Sequence, residues 1–224
     1  MRIEREIHKV EKDFFGFKML TRVRYMDEKI LETEMDINRN MYRLPKNPKV
    51  VIDVGAHIGG TSILAASMGA IVYAFEPEDY NHDLLCQNID LNRVSGLVVP
   101  IKLGVGKPGE HTLYVHPRNS GAATTIKYPR MQYQDEHKQT IEIISIHDVF
   151  EKYNIEHCDV LKMDCEGGEA AIIKDLDEDL INKIDRISLE YHNKPIWKNE
   201  IYPKLIKYYE PEEVTRHEWT FKRK

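Results

Sequence analysis

The sequence has little cysteine, no long apolar run and no excess of positive charge, and each lack closes off a class of protein. Cysteine occurs only at Cys86, Cys158 and Cys165. An odd, sparse set makes no disulfide framework, and no pair has the close spacing of a zinc site. A reducing, cytoplasmic compartment is the expected setting. No apolar stretch approaches the ~20 residues that a bilayer crossing needs. The charged start, Met1-Arg2-Ile3-Glu4-Arg5-Glu6, has no apolar segment behind it and does not read as a secretory signal. Lysine and arginine number 32 against 37 acidic residues, a net charge of -5. Such a field repels phosphates and speaks against a general nucleic-acid binder. The basic end, Phe221-Lys222-Arg223-Lys224, reads as a solvated tail. Internal repeats and low-complexity tracts are missing too.

What is present suffices for one globular domain. The 224 residues are 42% hydrophobic and 31% charged, enough for a core that needs no metal or disulfide staple. Pro45 and Pro48 punctuate the chain. Residues 1–48, with their apolar patch Phe14 to Leu20, are expected to form a helix or strands packed on the core as an N-terminal extension. Residues 49–224 form the main domain. There, short β-branched runs alternate with helical patterns. Strands are expected at 50–54, 71–75, 97–103, 159–164 and 184–190, with helices at 61–68, 80–91, 168–176 and 197–208. Further strands are expected near 213–215 and 218–222. This α/β rhythm predicts a mostly parallel sheet with helices on both faces and its working loops along one carboxyl edge. The stretch Gly106 to Thr140 breaks the rhythm. It reads as a hairpin at 110–115, then a long loop, then a strand at 140–144, with Ser145 capping a helix to Tyr153.

Three segments carry chemistry. In Asp53-Val54-Gly55-Ala56-His57-Ile58-Gly59-Gly60, Gly55 lets the chain turn after the strand and Gly59 lets a ligand approach the backbone. Asp53 can bind an ammonium or order the loop, and His57 contacts a cofactor or the loop itself. A plain tight turn would use the same glycines. Glu76, about 20 residues on at the end of the second strand, can accept hydrogen bonds from both hydroxyls of a ribose. The loop lacks G-x-G-x-x-G, the form that brings a helix N-terminus to a pyrophosphate. A phosphate-free adenosyl ligand such as S-adenosylmethionine therefore fits better than a nicotinamide dinucleotide. In Asp164-Cys165-Glu166-Gly167-Gly168-Glu169, Asp164 and Glu166 stand where they could orient or deprotonate a hydroxyl, although helix capping also favours acids there. Glu169 reads as a brace for the helix. In Glu190-Tyr191-His192, His192 could serve as a base near neutral pH, or as a surface histidine bonded to its loop. No metal ligand is assigned, although Glu190 beside His192 leaves a divalent metal open.

Val51 to Ser62, Tyr73-Ala74-Phe75-Glu76-Pro77, Asn88 to Asn92, Asp159 to Glu169 and Glu190-Tyr191-His192, in this order, resemble the FkbM family of methyltransferases. The resemblance runs from about Lys49 to His192. It implies a class I, Rossmann-like methyltransferase fold with a seven-stranded sheet. It also implies S-adenosylmethionine as methyl donor, S-adenosylhomocysteine as product, and O-methylation of a sugar or natural product. By position, Asp53, Gly55, His57 and Gly59 would border the methionine part and Glu76 would take the ribose hydroxyls. Leu103 and Gly104 would lie near the adenine, and Asp164 and Glu166 would face the methyl group. His57 stands where the family often has asparagine. The expected partner is a small or glycosidic acceptor, with the 106–140 insertion, including Tyr114, Tyr128 and Tyr133, shaping its pocket as a lid. RNA methylation and a non-catalytic cofactor-binding subunit are the competing readings. The acidic charge opposes the first, and the intact Asp53 and Glu76 oppose the second.

Overall fold

A hairpin opens the described chain. In the computed structural model, which describes residues 8–116, 119–126 and 137–224, β1 (Lys9–Phe14) pairs antiparallel with β2 (Phe17–Arg22). Phe15 and Gly16 make the two-residue turn, both at positive φ, as the twist of a tight hairpin requires. Helix α1 (Asp27–Glu34) follows and turns Asp27, Leu31 and Glu34 inward. Both elements expected for the N-terminal region are present: β2 packs on α3 (Asp79–Leu91) and α1 packs on α2 (Gly60–Ser67). Two asparagines on α3 hold the hairpin. Asn88 exchanges hydrogen bonds with the backbone of Leu20 and also donates to the Ile58 carbonyl, while Asn92 does the same with the backbone of Lys18.

The main sheet begins at β3 (Val50–Val54) and continues through β4 (Ile71–Phe75) and β5 (Val98–Ile101), with α2 and α3 as crossovers. The chain then builds β6 (Gly104–Val105), β7 (Gly109–Tyr114), β8 (Lys138–Ile144) and α4 (Ile146–Lys152) before returning to the sheet at β9 (Val160–Met163). Next come α5 (Glu169–Asp175), α6 (Glu178–Lys183) and β10 (Arg186–Glu190). The short turns α7 (Lys194–Ile196) and α8 (Tyr202–Leu205), joined by a π-helical turn at Trp197–Ile201, precede β11 (Tyr209–Glu213) and β12 (Glu218–Arg223). The seven strands lie in the order β11-β12-β10-β9-β3-β4-β5. β12 runs antiparallel to both neighbours, and the pairs from β10 to β5 are all parallel. This is the expected seven-stranded, mostly parallel sheet.

Alternation along the strands divides the core. Val51, Val72 and Val160 face the cluster under α1, α2 and α3, while Ile52, Phe75 and Leu161 face the cluster under α4, α5 and α6. Burial on both faces is what selects the continuous β-branched runs.

Three expectations need correction. The stretch expected as a hairpin at 110–115 is one strand, which among the described residues meets the loop after it only at a bridge from Tyr114 to Thr124. It pairs across the insertion with β8, and with β6 these strands make a separate sheet, ordered β6-β8-β7. Gly104 permits this, since a Cβ there would stand 2.9 Å from Ile143 Cγ1. Helix α6 was not expected, although Asp177 caps it by accepting from the Leu180 N–H. The last outer strand precedes the expected 213–215. Tyr114 lies in β7, whereas Tyr128 and Tyr133 lie outside the described residues. Among the described residues, no helix is long and apolar enough to cross a membrane.

Candidate active site

The chain order reverses between β3 and β9, so a crevice opens at the carboxyl ends of these adjacent strands. Gly55 is its floor. Its φ is +77°, and any Cβ there would collide with the Asp164 carbonyl oxygen at the end of β9. Gly59 also needs its positive φ, but it packs under Leu85 and Ile63 at the start of α2 and does not line the crevice. His57, between them, is held at φ +51° by a hydrogen bond from its N–H to Glu76 Oε2 at 2.9 Å.

Two connected spaces meet over this loop. One is a chamber lined by Phe75, Glu76, Gly104, Val105 and Ile143, roofed by the small second sheet. The other is a cleft of about 400 Å³ lined by Glu34, Tyr42, Glu166, Glu190 and Glu218. Gly55, His57, Gly121, Asp164 and Glu166 border both. Leu103, expected beside Gly104, instead packs against the core under α4 and α5.

Asp53 is fully buried and lines neither space. Its Oδ1 pairs with Lys162 Nζ at 3.0 Å and its Oδ2 accepts from Ser62 Oγ at 2.6 Å. Lys162 in turn donates to the Gly55 carbonyl at 2.7 Å and sits over the Tyr42 ring. Burial opposes its charge, but Asp53, then Asp164 and Glu34, hold the ammonium above its ordinary range. Of the two roles open to Asp53, ordering the loop is the one its partners serve. Lys162 was missed in the sequence. The signal was there: one charge inside the apolar run Val160-Leu161-Lys162-Met163.

Glu76 faces the chamber from the end of β4. Its carboxylate accepts from His57 N, from Glu78 N at 3.0 Å and from Asn81 Nδ2 at 3.3 Å. Burial pushes it up to about 7, against the pull of these bonds. A carboxylate has about four acceptor positions, so three donors leave room for one ligand hydroxyl, where two were expected.

At the mouth, Asp164 accepts from the Tyr42 hydroxyl at 3.0 Å. His192 stands among Glu169 (Nδ1 to Oε1, 3.2 Å), Glu166 (3.4 Å), Asp164 (3.9 Å) and Glu190 (3.9 Å). Burial disfavours its charge, yet Glu169, then Glu166 and Asp164, raise it to about 10. In this setting the ring favours its protonated form, paired with the carboxylates around it. Burial pushes Glu169 up, but the bond from His192 and the Cys165 and Gly167 amides bring it below its ordinary range. Glu169 is thus the expected brace. Burial lifts Glu166 to about 7, with His192 pulling down and Asp164 pushing up. Ligand atoms of Asp164, Glu190 and His192 lie within 4.8 Å of one another. Two carboxylates and an imidazole at this spacing are a ligand set of the kind that suits a divalent cation when the ring gives up its proton.

The N-terminal segment supplies polar groups that the sequence did not reveal. Arg22 makes a two-pronged ion pair with Asp27 at 2.9 and 3.0 Å and donates to Asn81 Oδ1 at 2.8 Å. Ser120 donates to Asp27 and lies 2.8 Å from His57 Nε2. His57 Nε2 also lies 3.3 Å from Arg22 Nη2, so the ring nitrogen is shared between the serine and the guanidinium. His57 Nδ1 is buried with no hydrogen-bond partner among the described residues. Burial lowers the pKa of His57, in keeping with a neutral ring.

A sequence profile of the methyltransferase FkbM domain matches residues 53–217. The hexuronic acid methyltransferase AglP of Haloferax volcanii is 29% identical over 162 residues, 72% of this chain and 64% of its own length. Methyltransferase sdnD of Sordaria araneosa is 27% identical over 164 residues, 61% of this chain and 63% of its own. The chain thus spans just under two thirds of these relatives. Among solved structures, methyltransferase FkbM from Methylobacillus flagellatus superposes with a TM-score of 0.52 at 17% identity, over 85% of this chain and 47% of that one. The tRNA m1G37 methyltransferase of M. jannaschii gives 0.50 at 14%, over 97% and 57%. These likenesses show the class I methyltransferase fold. With a profile match over more than half its length, the chain belongs to the FkbM methyltransferase domain family.

Proposed function

We propose that this chain is an S-adenosylmethionine-dependent methyltransferase acting on a hydroxyl of a sugar or other small acceptor. The observation that carries the reading is Glu76, a buried carboxylate at the tip of β4 that opens onto the chamber shared with Gly55 and Asp164. The residues suit the cofactor. Glu76 would hold a ribose hydroxyl. Gly104, Val105 and Ile143 would flank the adenine, and Gly55, His57 and Asp164 would border the amino-acid part. Bound there, the cofactor supplies a methyl group already activated on a sulfonium. The protein's task is alignment and removal of one proton. Glu166, at about 7 and bordering both spaces, is suited to accept the acceptor hydroxyl's proton at its carboxylate. His192, braced by Glu169, positions Glu166 and balances its charge. Tyr42 orients Asp164.

The relative named for hexuronic acid supports a sugar acceptor. The cleft carboxylates Glu34, Asp164, Glu166, Glu190 and Glu218 disfavour a phosphodiester. Titration calorimetry should detect S-adenosylhomocysteine and not NAD. Glu76→Ala should weaken that binding by about 1–3 kcal/mol, and unchanged affinity would overturn the ribose role. A screen of neutral sugars, uronic acids and small phenols with labelled methyl donor, with magnesium and with chelator, identifies the acceptor.

A further inference from the structure

Helix α1 carries two acids on one buried face, seven residues apart, and they are treated in opposite ways. Asp27 receives Arg22, the Arg22 N–H and Ser120. Glu34, 6% exposed, has an Oε2 with no hydrogen-bond partner among the described residues. Buried polar atoms are nearly always bonded, so an unbonded carboxylate oxygen calls for a cause. Burial pushes Glu34 up to about 8, with Lys162 pulling down and Asp53 and Asp164 pushing up. Its carboxylate borders the cleft beside Tyr42, Gly55, His57 and Asp164. It also rests against the first residue of α2, where any Cβ on Gly60 would collide with Oε2. Asp53, the acid of the glycine loop, is closed off by Lys162 and Ser62. An ammonium entering the cleft next to Gly55 therefore meets in Glu34 a buried carboxyl with an oxygen left to accept from it, and would favour its ionised form.

We infer that Glu34, contributed by a helix outside the family-matched segment, binds the α-ammonium group of the cofactor's amino-acid part. This assignment rests on the cofactor reading above and adds one residue to it. The alternative is structural: Glu34 would serve the α2 N-terminus as a dipole partner. The two roles differ in sign, because an acid kept only to complete the cleft weakens the empty fold, whereas a dipole partner strengthens it.

The test compares three ligands by calorimetry: S-adenosylhomocysteine, its deamino analogue, and 5′-methylthioadenosine, which lacks the amino-acid part. Wild type should bind the deamino analogue on the order of tenfold more weakly than S-adenosylhomocysteine. Glu34→Gln should lose a similar factor for S-adenosylhomocysteine, no longer distinguish the two, and keep its affinity for 5′-methylthioadenosine within about twofold. Its melting temperature should not fall. Equal binding of the first two ligands by wild type overturns the assignment without any variant. So does a Glu34→Gln protein that weakens all three ligands alike, or that melts lower. Where either of those outcomes removes Glu34, wild-type binding of 5′-methylthioadenosine leaves the cofactor reading standing; a wild type that binds none of the three overturns both.

Discussion

The strands of the main sheet and the segment before them reach the same crevice by opposite designs. β3, β4 and β9 bury β-branched side chains along their length and keep their chemistry for the tips. Residues 8–48 also bury Met19, Leu31 and Met35 in the core, but they mix their chemistry in among them. They send Arg22, Asp27, Glu34 and Tyr42 inward and leave Phe15 and Ile37 at 53% and 45% exposure. The sheet keeps its polar groups at its rim, while the N-terminal segment joins the core through apolar packing and adds buried polar bonds beside the crevice. The segment and one wall of the crevice are the same object here.

That contrast can be broken most sharply at Lys162. Lys162→Ala strands the Asp53 charge in the core and should cost about 3–5 kcal/mol in urea unfolding. Asp53→Asn with Lys162→Met should recover much of it; if the single substitution is mild, the scaffold does not depend on this pair. Glu34 tests the other side. Its pKa in the fold, about 8, lies above the ordinary carboxyl value near 4.5. Its contribution is therefore fully present below pH ~4.5 and is lost as pH rises through about 8. The groups facing it are Lys162, Asp53, Asp164 and Tyr42. Glu34→Gln should match wild type in melts near pH 4 and exceed it near pH 8.5, by on the order of a few kcal/mol. A gain that is the same at both pH values would contradict the buried acid.

Asn88→Ala comes next. It removes the bonds to Leu20 and Ile58 and should cost about 1–3 kcal/mol, with faster hydrogen exchange confined to residues 17–22. Exchange that rises over the whole chain would mean that the hairpin and sheet unfold as one unit. The smallest effect belongs to Arg43, whose pair with Glu212 at 2.8 Å joins the segment to β11 at the surface. Arg43→Ala should change stability by no more than about 0.5 kcal/mol in urea.

The same contrast explains what could be read in advance. β3 and β4 were bounded at 50–54 and 71–75 because strands buried on both faces write continuous apolar runs. The glycine loop, Glu76, Asp164 and Glu166 were found because a tip residue follows its strand directly. Glu34, Asp27 and Arg22 were not, since an acid pointing inward looks in sequence like an acid pointing outward. The protonation of His192 was hidden for another reason. It depends on Asp164, Glu166 and Glu169 meeting a histidine more than twenty residues further along the chain, and no local spacing records their meeting. Asn88 and Asn92 entered only as part of the family pattern, and their role as the clasp of the hairpin appeared only when β2 was seen against α3.

Ser120 sits between Asp27 and His57 and is bonded to both. Any outward swing of residues 119–126 must part from the N-terminal helix and from the glycine loop in the same movement. Neither contact can be released first at low cost, because each would leave a buried polar atom dry.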